Sequence, residues 1–158
     1  YRQERNPVAK IWARSDNRLH DIADPRFPYA LTTYRVTEHH SGGLPTRTTP
    51  VLAELQPQNF AEIAPELAAE LGIANLDWVT LATARGEVEV RAMVTERLRP
   101  LRLDGATVHQ VGLLWHFGWE GFAKGDIANM LTSIVGDPNT SMHEAKALTC
   151  NLRKGRRA

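Results

Sequence analysis

Apolar and polar positions alternate with a period of two along several short stretches of the chain, a pattern that predicts half-buried β-strands. The clearest example is residues 87–95, where Val88, Val90 and Val94 alternate with charged or polar neighbours. Just before it, Arg85-Gly86-Glu87 predicts a tight hairpin turn in which Gly86 adopts a positive φ. Alternation or short apolar runs predict five more strands, at residues 29–34, 59–63, 78–83, 108–114 and 147–152. The pattern predicts a mostly β domain, closed or nearly closed, and leaves the strand order open.

The helices that the sequence predicts are few and short. The first covers residues 65–71, with Pro65 in its first turn, an apolar face and Gly72 just after its end. Helical spacing of apolar residues predicts two more, one within residues 48–56 and one over residues 127–134. We therefore expect short helices that connect strands rather than a helical layer.

The first 26 residues are polar and irregular, apart from a short apolar stretch between Val8 and Trp12 that predicts one amphipathic helix. We therefore divide the chain into a lead-in segment, residues 1–26, and a β-rich domain, residues 27–158. The chain begins with Tyr1 rather than Met, which suggests a fragment or a processed chain.

Composition is that of an ordinary globular domain. The chain has 158 residues, a formal net charge of +1 and 42% hydrophobic residues, enough to bury a core. Its one cysteine, Cys150, lies in an apolar alternating run, so we expect a buried structural thiol and no internal disulfide. No apolar run approaches membrane-spanning length, so we expect no membrane insertion. The basic residues at 153–157 favour a frayed, solvated terminus, and we expect no nucleic-acid partner.

One polar stretch follows directly after the first predicted strand. Six of its seven residues from 35 to 41 are polar: Arg35, Thr37, Glu38, His39, His40 and Ser41. Gly42-Gly43 and Pro45 then predict an end to any regular element. A strand that ends in a cluster of donors and acceptors is typical of a binding loop on a rigid scaffold. A solvated hairpin end is the alternative that residue types alone leave open.

Two further polar clusters lie late in the chain. They consist of Asn129 with Thr132, and of Asp137, Asn139 and Thr140 with Glu144 and Lys146. Taken singly, such residues are typical of turns and of local bonds to the backbone. Together with the polar stretch after the first strand, they favour a shared polar ligand on which several loops converge.

Motifs for catalysis or metal binding are missing from the sequence. His39 and His40 are adjacent, so their rings would point to opposite faces of a strand, and no other histidine has a zinc-site spacing. The sequence has no nucleophile elbow of the hydrolase type and no Gly-rich phosphate loop between a strand and a helix. We therefore predict no catalytic residue and no metal-binding residue in this chain.

Three sets of motifs, spread over the chain after residue 26, fit one family pattern. The first is Phe27-Pro28-Tyr29 with Thr32-Thr33-Tyr34-Arg35-Val36-Thr37-Glu38-His39, and the second is Leu55-Gln56-Pro57-Gln58-Asn59-Phe60-Ala61-Glu62-Ile63. The third is His116-Phe117-Gly118-Trp119-Glu120-Gly121 with the stretches 125–132 and 136–140. In combination these motifs resemble the C-terminal, molybdopterin dinucleotide-binding domain of formate dehydrogenase large subunits, in the molybdopterin oxidoreductase (DMSO reductase) family.

The resemblance implies a six-stranded double-psi β-barrel over residues 27–158. In this family the barrel lies over the bis-molybdopterin guanine dinucleotide cofactor of a molybdenum or tungsten enzyme. The cofactor contacts that the resemblance implies here are Thr33, Arg35, Thr37, Glu38, His39, Asn129, Asn139 and Lys146. The chain departs from the pattern at Ala145, where some relatives carry an aromatic residue, and Ser41-Gly42-Gly43 fits only part of the family.

The resemblance also implies that this chain depends on other parts of an enzyme. In such enzymes the metal-ligating Cys or selenocysteine, the catalytic His and the iron–sulfur cysteines lie upstream, so we expect no catalysis by this chain alone. The implied partners are the remaining domains of the large subunit and an iron–sulfur electron-transfer subunit, in a bacterial-type enzyme of the cytoplasm or periplasm. Two alternatives stay open, namely the equivalent domain of nitrate reductase or a related molybdoenzyme, and a stand-alone double-psi barrel that binds proteins.

Overall fold

The computed structural model of the protein describes residues 24–103, 105–133, 140, 142–143, 145–146 and 148–157. The predicted helix between Val8 and Trp12 lies outside the described residues, as do Asp137, Asn139 and Glu144. Among the described residues, no helix has the length and apolar character that a bilayer crossing requires.

Six strands form a closed barrel. They are β1 (Tyr29–Tyr34), β2 (Phe60–Ile63), β3 (Trp78–Ala82), β4 (Glu87–Val94), β7 (Gln110–Leu114) and β8 (Leu148–Lys154). Around the barrel they follow the order β1-β7-β2-β4-β3-β8. β1 pairs in parallel with β7, and β2 with β4, whereas the other neighbours are antiparallel. The closed six-stranded barrel confirms the predicted fold class. A separate two-stranded hairpin, β5 (Leu101–Leu103) and β6 (Ala106–Val108), lies beside it and was not predicted.

The period-two alternation of the sequence directs apolar side chains into the barrel. In β4, Val88, Val90 and Ala92 are buried, whereas the residues between them are only partly buried. Leu81 pairs with Val88 on one side and lies opposite Leu152 on the other, so three strands meet in one apolar layer. Cys150 is also fully buried, and its burial raises the pKa of the thiol, as expected for a structural residue.

Within the described ranges, three short helices and one 3₁₀ turn connect the strands, namely α1 (Leu44–Arg47), α2 (Pro50–Leu55), α3 (Pro65–Glu70) and the 3₁₀ turn Ala128–Met130. α3 ends as predicted, because Gly72 takes φ 63° and Ile73 N–H donates to Ala68 O at 2.8 Å. The sequence did not predict α1, because Pro45 was interpreted as a breaker although proline is tolerated in a first helical turn. Within the described part of residues 127–134, only the 3₁₀ turn is helical.

The structure corrects the predicted role of Gly86. Its φ is not positive, so conformational freedom is not the reason for glycine in this turn. A Cβ atom at this position would lie 2.9 Å from the carbonyl oxygen of Met130. Glycine is therefore needed because the segment around Met130 packs directly on the turn between β3 and β4.

The basic C-terminal residues are ion-paired rather than frayed, which corrects the prediction of a solvated tail. β8 extends to Lys154, and basic side chains at its end and after it bond to carboxylates of β4. Arg153 makes two hydrogen bonds to Glu87, at 3.0 and 3.1 Å, and Arg156 bonds to Glu89 at 3.0 Å. The tail therefore closes over the outer face of the barrel.

One buried carboxylate ties several strands together below the polar stretch that follows β1. Glu62, in β2, is almost fully buried and accepts hydrogen bonds from Tyr34 Oη at 2.6 Å and from Thr95 Oγ1 at 2.7 Å. Arg97 pairs with both carboxylate oxygens and lowers the pKa of Glu62 to about 2. The charged network fixes the end of β1, from which the polar stretch begins.

Candidate functional site

The polar stretch and the aromatic motif at residues 115–119 lie together at one end of the barrel. β1 and β7 are parallel and adjacent, so the segments that follow them leave the barrel side by side. Trp115 N–H donates to Tyr34 O at 3.0 Å, which continues the pairing beyond the two strands. We call the segment at residues 35–43 the β1 loop and the segment at residues 115–123 the β7 loop.

His116 holds the β1 loop in place from inside the barrel end. Its ring is fully buried, and Nε2 accepts a hydrogen bond from Val36 N–H at 3.0 Å. Nδ1 lies 2.7 Å from Ser41 O and therefore carries the proton that it donates to this carbonyl. Burial lowers the pKa of His116, which favours this neutral tautomer.

His39 is also buried and satisfied within the chain. Its Nε2 lies 2.9 Å from Gln56 O and its Nδ1 lies 3.1 Å from Thr46 Oγ1. The ring packs edge-on against Phe117, with 5.5 Å between the ring centroids. His40 is exposed, so the two adjacent histidines lie in different surroundings, although neither residue lies in a strand as the prediction assumed. Both ring nitrogens of His39 therefore serve to shape the loop.

Arg47 connects α1 to the β7 loop and was missed by sequence reasoning. Its guanidinium is buried and donates to four backbone oxygens, those of His116 at 2.9 Å, Gly118 at 3.1 Å, Ala123 at 3.2 Å, and Glu120. Burial without a bonded carboxylate lowers the pKa of Arg47. No local signal could have revealed this role, because the partners are backbone carbonyls about 70 residues away in the sequence.

Glycines allow Arg47 and the two loops to approach closely. A Cβ atom at Gly43 would lie 1.8 Å from His116 O, and one at Gly118 would lie 2.9 Å from an Arg47 nitrogen. Gly43 also takes φ 84°, so a side chain there is disfavoured by the backbone as well as by the contact. The Gly42-Gly43 pair thus has a packing role that its interpretation as a simple breaker did not include.

Three polar side chains of the β1 loop remain available to a ligand. Arg35 and Thr37 are exposed and Glu38 is half-buried. Among the described residues none of these side chains takes part in a hydrogen bond or ion pair, and no described group neutralises Arg35. The loop is therefore supported from within by His39 and His116, while its outward-facing polar groups form no bond to the described part of the chain.

A cavity of about 340 Å³ lies between the end of the β1 loop, at Gly42, and the β7 loop, and Arg35, Thr37 and Glu38 are not among its lining residues. Its lining joins both loops to the segment around the 3₁₀ turn and includes Gly42, Leu44, Trp115, Trp119, Ile127 and Asn129. Asn129 is exposed, and its Oδ1 accepts a hydrogen bond from Thr132 Oγ1 at 3.2 Å. That bond orients the amide and leaves its NH₂ group free to donate to a ligand.

Thr33 and Lys146 join the late part of the chain to the same barrel end. Lys146 Nζ donates to Thr33 O at 2.6 Å, and Thr33 Oγ1 donates to Ala145 O at 2.8 Å. Trp115 and His143 are also in ring contact, with 6.5 Å between their centroids. The structure therefore brings seven of the eight predicted residues to one region, and the eighth, Asn139, lies outside the described residues.

A larger cleft of about 960 Å³ lies at the opposite end of the barrel, where β1 and β7 begin. Tyr29, Glu70, Arg99 and His109 are among its lining residues, and Glu70 lies 3.2 Å from the His109 ring. It contains none of the eight predicted residues. No group of three potential metal ligands occurs in the part of the chain that the structure describes, in either cleft or elsewhere.

A family model described as "Molydopterin dinucleotide binding domain" matches residues 29–149. The chain belongs to this family. The match begins at β1 and covers both loops, the 3₁₀ turn and the segment that contains Lys146. Membership therefore confirms the resemblance that the motifs of residues 27–39, 55–63 and 116–140 indicated.

Two curated relatives cover nearly the whole chain. It is 46% identical over 151 residues to "Formate dehydrogenase subunit alpha" of Megalodesulfovibrio gigas, with 94% of this chain and 14% of that protein covered. It is 44% identical over 153 residues to "Formate dehydrogenase 2 subunit alpha (cytochrome c-553)" of Nitratidesulfovibrio vulgaris, with 97% and 15% covered. The chain thus spans about one seventh of the length of these relatives.

A solved structure supports the fold alone. Acetylene hydratase from Pelobacter acetylenicus matches with a TM-score of 0.64 and 14% identity, over 83% of this chain and 19% of that chain. At this level of identity the likeness concerns the barrel and not the chemistry.

Proposed function

We propose that this chain binds a molybdopterin guanine dinucleotide at the barrel end formed by the β1 and β7 loops. The observation that carries the proposal is that one barrel end combines a rigidly held loop, on which Arg35, Thr37 and Glu38 form no bond to the described residues, with a cavity lined by Gly42, Trp115 and Asn129. Rigid support beneath free donors and acceptors is the usual arrangement of a preorganised ligand site.

The geometry divides seven of the eight predicted contacts into two groups. Arg35, Thr37, Glu38 and Asn129 have side chains free for a ligand, and we assign them direct contacts. Thr33, His39 and Lys146 use their polar atoms within the chain, and we assign them the support of the loops. The contact predicted for Asn139 remains a prediction from the sequence.

The residues present fit the chemistry of this cofactor. A guanidinium such as that of Arg35 pairs well with a diphosphate, through charge-assisted hydrogen bonds. The Thr37 hydroxyl adds a donor for phosphate oxygens, and the Glu38 carboxylate accepts N–H groups of a pterin or guanine ring. Trp115 and Trp119 supply flat apolar surfaces in the cavity for such rings.

We further propose that the complete protein is the large subunit of a formate dehydrogenase, which oxidises formate to carbon dioxide. The names of the relatives favour this reading over nitrate reductase and over a stand-alone protein-binding barrel. When bound, the cofactor supplies the redox chemistry with molybdenum or tungsten held by the rest of the enzyme. This chain would bind and orient the cofactor and exclude water, next to the other domains of the subunit and an iron–sulfur electron-transfer subunit.

Replacing Arg35 tests the cofactor assignment. We expect Arg35→Gln in the complete large subunit to weaken cofactor retention by about 10- to 100-fold, the effect of losing a charge-assisted contact to phosphate. The measurement is the guanine nucleotide released by acid per polypeptide after extended dialysis. Arg99→Gln is the matched control, because Arg99 lines the cleft at the other end of the barrel. Equal retention by both variants would contradict the assignment of Arg35.

A further inference from the structure

The segment at residues 125–132 presents Asn129 to solvent on one side and is attached to the barrel on its other side. Thr83 Oγ1, at the end of the β3 strand, donates to Leu131 O at 2.9 Å. A Cβ atom at Gly86 would lie 2.9 Å from the carbonyl oxygen of Met130, the residue before Leu131. The position of the segment, and with it that of Asn129, is therefore set by contacts on its inner side.

The start of this segment is held by the C-terminal Arg157. One guanidinium nitrogen of Arg157 lies 2.8 Å from Asp126 Oδ2, which also accepts a hydrogen bond from Glu89 N–H at 2.8 Å. The same guanidinium pairs with Glu89 Oε1 at 3.3 Å and donates to Glu87 O at 3.2 Å. Arg157 thus joins the tail, β4 and the segment at one point.

These ion pairs are better shielded than ordinary surface pairs. The side chains of Asp126 and Glu89 are only 17% and 11% exposed, and that of Arg157 is 37% exposed. Without Arg157, the Asp126 carboxylate would lose its cation while it remained close to the carboxylate of Glu89. Glu89 would keep its pair with Arg156, so the loss would fall on the shielded Asp126 carboxylate, and the attachment of the segment to β4 would weaken.

We infer that Arg157 is a positioning residue for the cofactor site, because it fixes Asp126 and so the segment that carries Asn129. The inference rests on the proposed function, since Asn129 is a contact only if the cofactor binds at this barrel end. Arg157 itself lies on the outer face of the barrel with its bonds to Glu87, Glu89 and Asp126, and its role is to hold the site rather than to contact the ligand.

The test compares Arg157→Gln with Arg153→Gln in the complete large subunit. Arg153 is the matched control because it also pairs with a β4 carboxylate, that of Glu87, and bonds no residue of the segment. We expect Arg157→Gln to lower retention of guanine nucleotide by about 3- to 10-fold, the usual range for residues that act through a contact network. Arg153→Gln should retain nucleotide like the unmodified protein, and the melting temperatures of the two variants should agree.

A double-variant comparison separates positioning from general stability. Asp126→Asn should weaken retention like Arg157→Gln, and the two changes together should add little, because they remove the same link. Arg157→Lys, which keeps the charge, should restore part of the retention. The inference would be overturned if Arg157→Gln kept all of its guanine nucleotide. It would also be overturned if the nucleotide losses of Arg157→Gln and Arg153→Gln simply followed their melting temperatures. Absence of guanine nucleotide from the unmodified protein would instead contradict the proposed function.

Discussion

At the scale of single residues, the site depends on two buried histidines with different bonding patterns. His116 accepts a hydrogen bond from Val36 N–H at Nε2 and donates one to Ser41 O from Nδ1. Both bonds together require the neutral ring, with its proton on Nδ1. His39 lies next to it, with 6.0 Å between the ring centroids, and bonds to Thr46 and Gln56. Together they connect the β1 loop to the β7 loop and to the chain after α2.

The buried state of His116 predicts that stability falls on acidification. Its pKa in the folded protein lies below the unfolded value of about 6.5, so the unfolded chain binds more protons as the pH falls below that value. The contribution of His116 to the free energy of unfolding is therefore fully present above pH 6.5 and decreases below it, by at most about 1.4 kcal/mol per pH unit.

Denaturant unfolding at pH 7.5 and pH 5.5 measures this effect. His116→Gln should flatten the pH dependence of the free energy of unfolding, whereas His40→Gln should leave it unchanged because His40 is exposed. If His116→Gln kept the pH dependence of the unmodified protein, protonation of His116 would not be its cause.

At the scale of secondary-structure elements, the contact between α1 and the β7 loop is the tightest part of the site. Arg47, the last residue of α1, donates hydrogen bonds to four carbonyls of the β7 loop, those of His116, Gly118, Glu120 and Ala123. Gly43, just before α1, brings the chain against the backbone of His116. This contact fixes the distance between the two loops.

We predict that Gly43→Ala disrupts this contact. Both Gly43 and Gly105 have positive φ, at 84° and 81°, so alanine costs about 1 kcal/mol of backbone strain at either position. Only at Gly43 does the added Cβ also meet a backbone atom, at 1.8 Å from His116 O, whereas nothing lies within 4 Å of one at Gly105. Gly43→Ala should therefore destabilise the protein by about 3 kcal/mol or more, against about 1 kcal/mol for Gly105→Ala.

Urea unfolding of the two variants provides the comparison. Equal losses in the free energy of unfolding would mean that the β7 loop moves aside without cost, and the loops would then not form a rigid pair.

The elements that sequence analysis predicted well are those whose pattern is local. The alternation in residues 87–95 and the Pro65-to-Gly72 pattern determine β4 and α3 through near neighbours alone. α1 was missed because Gly43 and Pro45 suggest a loop, and the β5–β6 hairpin was missed because its strands have only three residues each. Short elements give too few positions for a period to be recognised.

The candidate site shows a similar division. Arg35, Thr37 and Glu38 were predicted because a dense polar stretch after a strand is visible in the sequence and fits a family motif. The supporting roles of Arg47 and Arg157 depend on backbone atoms and carboxylates that are distant in sequence. Only the closed barrel brings such partners together, so no local pattern indicates them.

At the scale of the whole molecule, the barrel has two unlike ends. One carries the β1 and β7 loops, Asn129 and the Lys146 contact to Thr33, and the other carries the large cleft around His109. We propose that the cofactor binds at the first of these ends. Size alone would favour the second, but its lining contains none of the eight residues predicted to contact the cofactor.

The most direct test is hydrogen–deuterium exchange of the complete large subunit, with and without bound molybdopterin guanine dinucleotide. We predict slower exchange in the cofactor-loaded protein at residues 33–43 and 115–132, and unchanged exchange around His109. If exchange were unchanged in both loops, or if protection were confined to the cleft around His109, the cofactor would not bind at the barrel end of the β1 and β7 loops.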